Sequence, residues 1–106
     1  MQCISIQIQP EFSENFDQNT FLQRVRAIRS PEVDRLSERG QTYLSFHFFT
    51  EKPAQLWQRL AQCLYLDAEY GPLLAPISIA VCEGEIPADF WLLHNFDSSE
   101  KLDSLA

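Results

Sequence analysis

The chain has 106 residues, of which 45% are hydrophobic, 12% aromatic and 22% charged, and its net charge is −7. These totals indicate one globular domain with a single core and exclude a disordered chain. No apolar stretch approaches the about 18 residues that a membrane-spanning helix needs. A surplus of acids repels phosphate backbones, so nucleic acid is not an expected partner.

The N-terminal residues and the cysteines favour a cytoplasmic protein. Residues 1–5 lack the basic and apolar regions of a secretory signal. The three cysteines, Cys3, Cys63 and Cys82, cannot all pair within one chain. We therefore expect reduced thiols in a cytoplasm.

The first half of the chain predicts three strands and one helix. Residues 3–9 alternate, with Ile4, Ile6 and Ile8 on one side, and form a strand that ends at Pro10. An apolar stripe, with capping-box spacing between Thr20 and Gln23, predicts a helix over residues 20–29. Residues 32–37 suit either a charged edge strand or a helical turn. A strand is favoured, because the turn at 39–41 leads directly into a strong strand at 42–49.

The second half predicts a helix and two strands. Pro53 opens the helix, and a stripe that includes Trp57, a predicted core anchor, ends before Gly71. Residues 77–82 alternate, with Ile77, Ile79 and Val81 predicted to face the core. Residues 90–96 form an added strand. The predicted domain spans residues 1–97, and residues 98–106 form a flexible tail.

The resulting order, βαββαβ and one more strand, resembles the ferredoxin-like domains in topology. It predicts an α+β fold in which both helices lie on one face of a four-stranded antiparallel sheet. The first and third strands lie in the centre, with the fourth beside the first. This fold hosts many unrelated functions and implies none of them.

The sequence contains no motif typical of catalysis, and we expect neither a cofactor nor a metal. The three glycines lie far apart, and no pair of Cys or His residues has metal-ligand spacing. An enzyme of this sequence would use His47 with a thiol, but no sequence feature supplies an activating group. We therefore predict that the protein is not an enzyme.

The sheet face opposite the predicted helices is neutral. If the isoleucines point to the helices, ten uncharged residues lie there: Cys3, Ser5, Gln7, Tyr43, Ser45, His47, Phe49, Ser78, Ala80 and Cys82. Exposed sheet faces usually present charged residues, so we expect this face to be covered. The C-terminal segment, a second copy of the chain, or a different protein or ligand are the three alternatives.

Acidic residues are expected at both ends of the sheet. Residues 24–59 contain seven of the eight Lys and Arg and only four of the fifteen acids. The predicted topology gathers one acidic group at one end: Glu11, Glu14, Asp17, Asp67 and Glu69. The second group lies at the other end: Glu83, Glu85 and Asp89.

These acids, with Tyr43, His47 and Phe49 nearby, predict a surface that binds a basic protein. The favoured interpretation is a small inhibitor or immunity-type protein that neutralises a basic partner such as a toxin. The alternative is a ferredoxin-like ligand-binding or regulatory domain that forms a homodimer through the open face of the sheet.

Overall fold

Five antiparallel strands form one sheet in a computed structural model that describes residues 1–105. The strands are β1 (Gln2–Ile8), β2 (Glu32–Glu38), β3 (Gln41–Thr50), β4 (Ser78–Glu83) and β5 (Phe90–His94). The helices are α1 (Gln18–Val25), α2 (Pro53–Cys63) and α3 (Gly71–Leu74). Short 3-10 turns span Pro10–Phe12 and Ala75–Ile77.

The strand order is β2-β3-β1-β4-β5. β1 pairs with β3 on one side and with β4 on the other, both antiparallel, as predicted. The ambiguous segment at 32–37 is a strand, and the added strand β5 pairs with β4. Because β5 extends the sheet, this is an α+β fold with five strands and three helices rather than the classic ferredoxin order.

The helices differ from the predicted ones: α1 spans Gln18–Val25 rather than residues 20–29, α2 ends at Cys63, well before Gly71, and α3 is an additional helix. α1 begins before Thr20 because Asp17 is its N-cap: Oδ1 accepts the Thr20 amide at 3.1 Å, and Oδ2 accepts the Thr20 hydroxyl at 2.6 Å. α3 was not predicted, because a Gly-Pro pair after an apolar stripe indicates the end of a helix. Proline also fits the first turn of a new helix, and it begins α3.

The hydrophobic core lies between the helices and one face of the sheet. β1 contributes Ile4, Ile6 and Ile8, all fully buried. On the helix side of the sheet, Phe21 of α1 packs on Phe46 of β3 with ring centroids 4.2 Å apart. The three helices add Val25, Leu56, Leu60 and Leu74 to this core. Trp57, the predicted anchor of α2, is only half-buried and packs against this core at its margin.

The orientation predicted for β4 is wrong by one residue. Ile6 pairs with Ala80, and Ile4 with Cys82. Directly paired residues of antiparallel strands share a face, so Ser78, Ala80 and Cys82 point to the helices and are fully buried. Ile79 and Val81 therefore lie on the other face, and Ile77 lies in the 3-10 turn before the strand.

Hydrogen bonds explain how a serine occupies this buried position. The Ser78 hydroxyl donates to the Leu74 carbonyl oxygen at 2.8 Å and lies 2.8 Å from the Tyr65 hydroxyl. Burying a hydroxyl costs little free energy when hydrogen bonds within the protein replace those with water. The apolar side chains are then free to occupy the opposite face, which strand alternation alone does not reveal.

The segment after β5 returns along the outer edge of that strand. The Asp103 amide donates to the Leu92 carbonyl oxygen, and the Leu92 amide donates to Asp103 Oδ2, both at 2.8 Å. Leu105 packs against the core beside Trp57 of α2. The C-terminal segment thus contacts an edge and a helix rather than the open face, and Ala106 of the predicted tail lies outside the described residues. No helix in residues 1–105 is long and apolar enough to cross a membrane.

Candidate functional site: the open face of the sheet

The face of the sheet that points away from the helices, here called the open face, consists of rows of paired residues. Each row crosses the sheet from one strand to the next, because paired residues share a face. The first row holds Phe49, Cys3, Glu83 and Phe90; the second holds Glu32, His47, Ser5, Val81 and Leu92; the third holds Asp34, Ser45, Gln7 and Ile79; the fourth holds Leu36 and Tyr43.

Seven of the ten residues predicted for this face lie on it, all from β1 and β3. The three from β4 do not: Ser78, Ala80 and Cys82 face the core, and Ile79, Val81 and Glu83 take their places. Cys3 and Cys82, both expected on this face, therefore lie on opposite faces of the sheet. Cys3 pairs with Glu83, while Cys82 is buried and its pKa is raised to about 11 by that burial.

The open face is acidic rather than neutral. Glu32 and Asp34 belong to its second and third rows, Glu83 to its first, and Glu38 at the end of β2 lies on the same side. Arg35 pairs with the buried Leu44 and so points to the helix side of the sheet. None of the residues in the four rows is Lys or Arg.

This arrangement changes the meaning of the charge distribution in the sequence. Residues 24–59 are basic as a stretch, but β2 alternates acids and other residues on opposite faces of the sheet. Three of the four acids in that stretch consequently lie on the open face. The alternation in Glu32–Glu38 places these acids on one side of the predicted strand, but only its register with β3 decides which side that is.

Polar side chains at the centre of the open face form a hydrogen-bonded group. Ser5 Oγ lies 2.7 Å from His47 Nδ1 and 3.4 Å from Cys3 Sγ. On the other side of the ring, His47 Nε2 lies 3.9 Å from Asp34 Oδ2. These contacts hold the imidazole in place, with one ring nitrogen toward β1 and the other toward the acids of β2.

The same group is poorly arranged for nucleophilic catalysis. Ser5 is only 7% exposed on a flat strand. Burial raises the pKa of the Cys3 thiol, whereas an active cysteine needs a lowered pKa. Cavities of about 430 and 440 Å³ lie between α2 and the segment that follows α1 and between α2 and the C-terminal segment, and neither includes these residues.

Apolar side chains occupy much of the remaining open face. Ile79, Val81 and Leu92 form a half-buried strip along β4 and β5. Large apolar groups also stand out toward solvent around this strip and near β2: Leu36 is 55% exposed, Phe90 54% and Phe49 41%. With Tyr43 they give the face several aromatic and aliphatic groups of the kind that interfaces bury.

The first predicted acidic group lies at one end of the sheet but forms two separate clusters, Glu11 with Glu14 and Asp17 with Asp67 and Glu69. Glu11 and Glu14 are exposed beside the turn between β2 and β3. Asp17 caps α1, and Arg24 of the same helix contacts Asp67 and the Tyr70 ring, so α1 packs beside the loop that contains Asp67 and Glu69. The Gln9 amide bonds the Ile77 carbonyl oxygen at 2.8 Å, so the end of β1 does adjoin the start of β4.

Two acids of that group are committed to structural contacts. Asp67 Oδ2 accepts the amides of Glu69 and Tyr70, and Oδ1 lies 3.6 Å from Arg24. These amides, with the guanidinium, lower the pKa of Asp67. The pKa of Asp17 is lowered by its Thr20 contacts in the N-cap. Both carboxylates are therefore engaged in contacts within the fold and are less available to bind a partner.

The second predicted group lies at the opposite end, next to the open face. Glu85 and Asp89 surround a shallow cavity with Glu51, and Glu85 Oε1 lies 2.6 Å from the N-terminal amine. That bond lowers the pKa of Glu85 and raises the pKa of the amine. Glu83 belongs to the first row of the open face and connects this group to it.

Comparisons of the chain with protein-family models, curated proteins and solved structures find no match. Function is therefore inferred from the geometry alone. Within the part of the chain that the structure describes, no group of three or more His, Cys, Asp or Glu side chains is arranged to hold a metal ion. The open face combines acids with apolar and aromatic side chains, and it is therefore the candidate site.

Proposed function

We propose that this protein is a non-enzymatic binding module that docks a basic protein on its open face. The observation that supports this most is the face itself: four acids border an apolar and aromatic surface that holds no Lys or Arg. A small cytoplasmic inhibitor of immunity type, which neutralises a basic toxin, fits this chemistry.

The two kinds of residue on the open face have different roles in this proposal. The exposed Phe49 and Phe90, with Tyr43, are the anchors, because aromatic groups that lose water at the centre of an interface provide most of its affinity. The acids of β2 attract a basic surface over a range of about 10 Å at 0.1 M salt and accelerate association.

Two further assignments belong to the same proposal. The first four strands with α1 and α2 follow the chain order of ferredoxin-like domains, and we propose that relationship for residues 2–83, with β5 as an addition. A cytoplasmic location fits the three unpaired cysteines, two of which are half-buried and one fully buried.

The homodimer alternative has less support. In a twofold dimer the same patch meets itself, so two copies of the open face would bring eight carboxylates together without one Lys or Arg from the face. Apolar contacts along β4 and β5 would have to offset that repulsion. A basic partner removes it.

The test uses charge reversal at two matched pairs of acids. One variant is Glu32→Lys with Asp34→Lys on the open face, and the control is Glu11→Lys with Glu14→Lys beside the β2–β3 turn. Both change the net charge equally, and all four residues are exposed. Wild-type protein and both variants serve as baits in the native host, and association rates with the recovered partner are measured across salt concentrations.

We expect the partner to be basic, retained by wild type and by the control, and lost or slowed by the open-face variant. Its association rate with the wild type should fall with salt more steeply than that with the open-face variant. Equal binding by all three proteins would show that the acids of the open face serve only solubility. A loss confined to the control would move the site to the turn.

A further inference from the structure

The two outer strands of the sheet differ in how their edges are protected. β5 is short, has a bulge opposite Ala80 and Val81, and is bonded by Asp103 at Leu92. β2 has seven residues, all exposed, and pairs with β3 without a bulge. Among residues 1–105, no backbone hydrogen bond joins β2 to any segment other than β3. Proteins usually shorten, bend or cover such an edge.

The turn between β2 and β3 determines which backbone groups of β2 are free. Arg39 and Gly40 both have positive φ, 53° and 78°, as in a type I′ turn with two central residues. The flanking pair, Glu38 and Gln41, is then hydrogen-bonded, and bonded pairs alternate along the ladder. The amides and carbonyls of Val33, Arg35 and Ser37 therefore point outward from the edge.

The side chains of β2 define the strand that fits beside it. A partner strand would place alternate residues opposite Glu32, Asp34, Leu36 and Glu38 on the open face. Three of these four positions are acidic, and Leu36 is 55% exposed. The complementary strand has Lys or Arg at alternate positions and one apolar residue opposite Leu36.

A second copy of the chain does not fit this edge. The twofold antiparallel pairing that matches all seven residues is centred on Arg35 and places Glu32 of each copy opposite Glu38 of the other. Like charges directly opposite each other destabilise a strand pair. The charge pattern thus favours a basic strand of a different protein.

We propose that β2 binds an extended basic segment of the partner protein as a sixth strand of the sheet. The inference rests on the proposed function and specifies how the basic partner is recognised. Main-chain hydrogen bonds to Val33, Arg35 and Ser37 supply affinity, and the acids of the open face select lysine or arginine at alternate positions.

The experiment uses the full chain labelled with ¹⁵N and two synthetic nonapeptides of identical composition. One alternates lysine and threonine, and the other has its lysines and threonines in two blocks. We expect the alternating peptide to bind more tightly and to slow amide hydrogen exchange at Val33, Arg35 and Ser37. Exchange at Asp34 and Leu36, whose amides already face β3, should not change.

Variants at one position separate main-chain from side-chain recognition. Arg35→Pro removes an outward amide, and a proline whose nitrogen faces solvent is tolerated on an edge strand. Arg35→Ala removes the same side chain but keeps the amide. We expect Arg35→Pro to weaken binding of the alternating peptide about tenfold and Arg35→Ala to leave it unchanged or tighter, since a positive charge is lost. Backbone spectra confirm that each variant is folded.

Two outcomes would overturn strand addition. Equal affinities for both peptides without exchange protection at the outward amides would mean that lysines bind the acids without forming a strand. Equal weakening by Arg35→Pro and Arg35→Ala would assign recognition to the side chain. Either result leaves docking of a basic protein on the open face intact, whereas indifference of the recovered partner to Glu32 and Asp34 reversal removes the proposed function itself.

Discussion

His94 shows how one polar residue is accommodated at the end of β5. Its Nε2–H donates to the Ala75 carbonyl oxygen at 2.8 Å, and its ring lies 4.1 Å from that of Tyr65 between centroids. Burial lowers the pKa of His94 below its ordinary value of 6.5, although the bond to Ala75 opposes the shift. The folded protein therefore holds the neutral imidazole more readily than the unfolded chain does.

The pH dependence of stability follows from this shift. As pH falls below about 6.5, the unfolded chain takes up a proton at His94 before the folded protein does. The free energy of unfolding therefore decreases as pH falls from 7 through the folded pKa. We expect His94→Gln, whose amide can still donate to Ala75, to lose less stability than wild type between pH 7 and 5. Parallel stability curves in urea titrations across that range would contradict the assignment.

At the level of elements, the register of β4 can be tested directly. Ala80 is fully buried under the helices, whereas Val81 is half-buried on the open face. Ala80→Leu adds three carbon atoms to a filled core and should cost about 1–3 kcal/mol. Val81→Leu should cost less than about 1 kcal/mol, because the side chain can turn toward solvent. Denaturant unfolding measures both, and a reversed order would restore the orientation expected from the sequence.

Element positions were largely predictable from the sequence, and side-chain orientation was predictable only in part. The alternation in β1 and β3 identified the strands and their buried sides, because isoleucine or phenylalanine alternates there with polar residues. In β4 the residues of both parities are small or apolar, so the buried side depends on packing and on the partners of the Ser78 hydroxyl. The alternation of residues along the strand reveals neither the packing nor these hydrogen-bond partners.

The candidate site was predictable to the same degree. Four of the eleven residues predicted to bind a partner lie on the open face: Tyr43, His47, Phe49 and Glu83. The acids of β2 were missed because a charged strand without an apolar side does not indicate which of its sides faces the core. Its pairing with β3, a tertiary contact, decides where those charges lie.

At the scale of the whole molecule, acids lie on one side of the sheet and arginines on the other, and this separation bears on contacts between two copies of the chain. Arg24 and Arg35 lie on the helix side, while Glu32, Asp34 and Glu83 lie on the open face. In a twofold contact between two open faces, the same surface of each copy meets the other. The carboxylates of the two copies then repel each other, and the four rows contain no Lys or Arg that could offset this repulsion.

We therefore expect the protein to be monomeric at low ionic strength, where repulsion between carboxylates acts over about 10 Å or more. Sedimentation velocity measures the oligomeric state, at a low salt concentration of about 0.05 M and at a high one of about 1 M. At the higher concentration the screening length falls to about 3 Å, and the apolar strip of Ile79, Val81 and Leu92 is then free to associate weakly. The variant Val81→Lys places a charge in the middle of this strip and should abolish association at high salt. A stable dimer at low salt that Val81→Lys dissociates would instead favour the homodimer, because apolar stacking would then outweigh the repulsion.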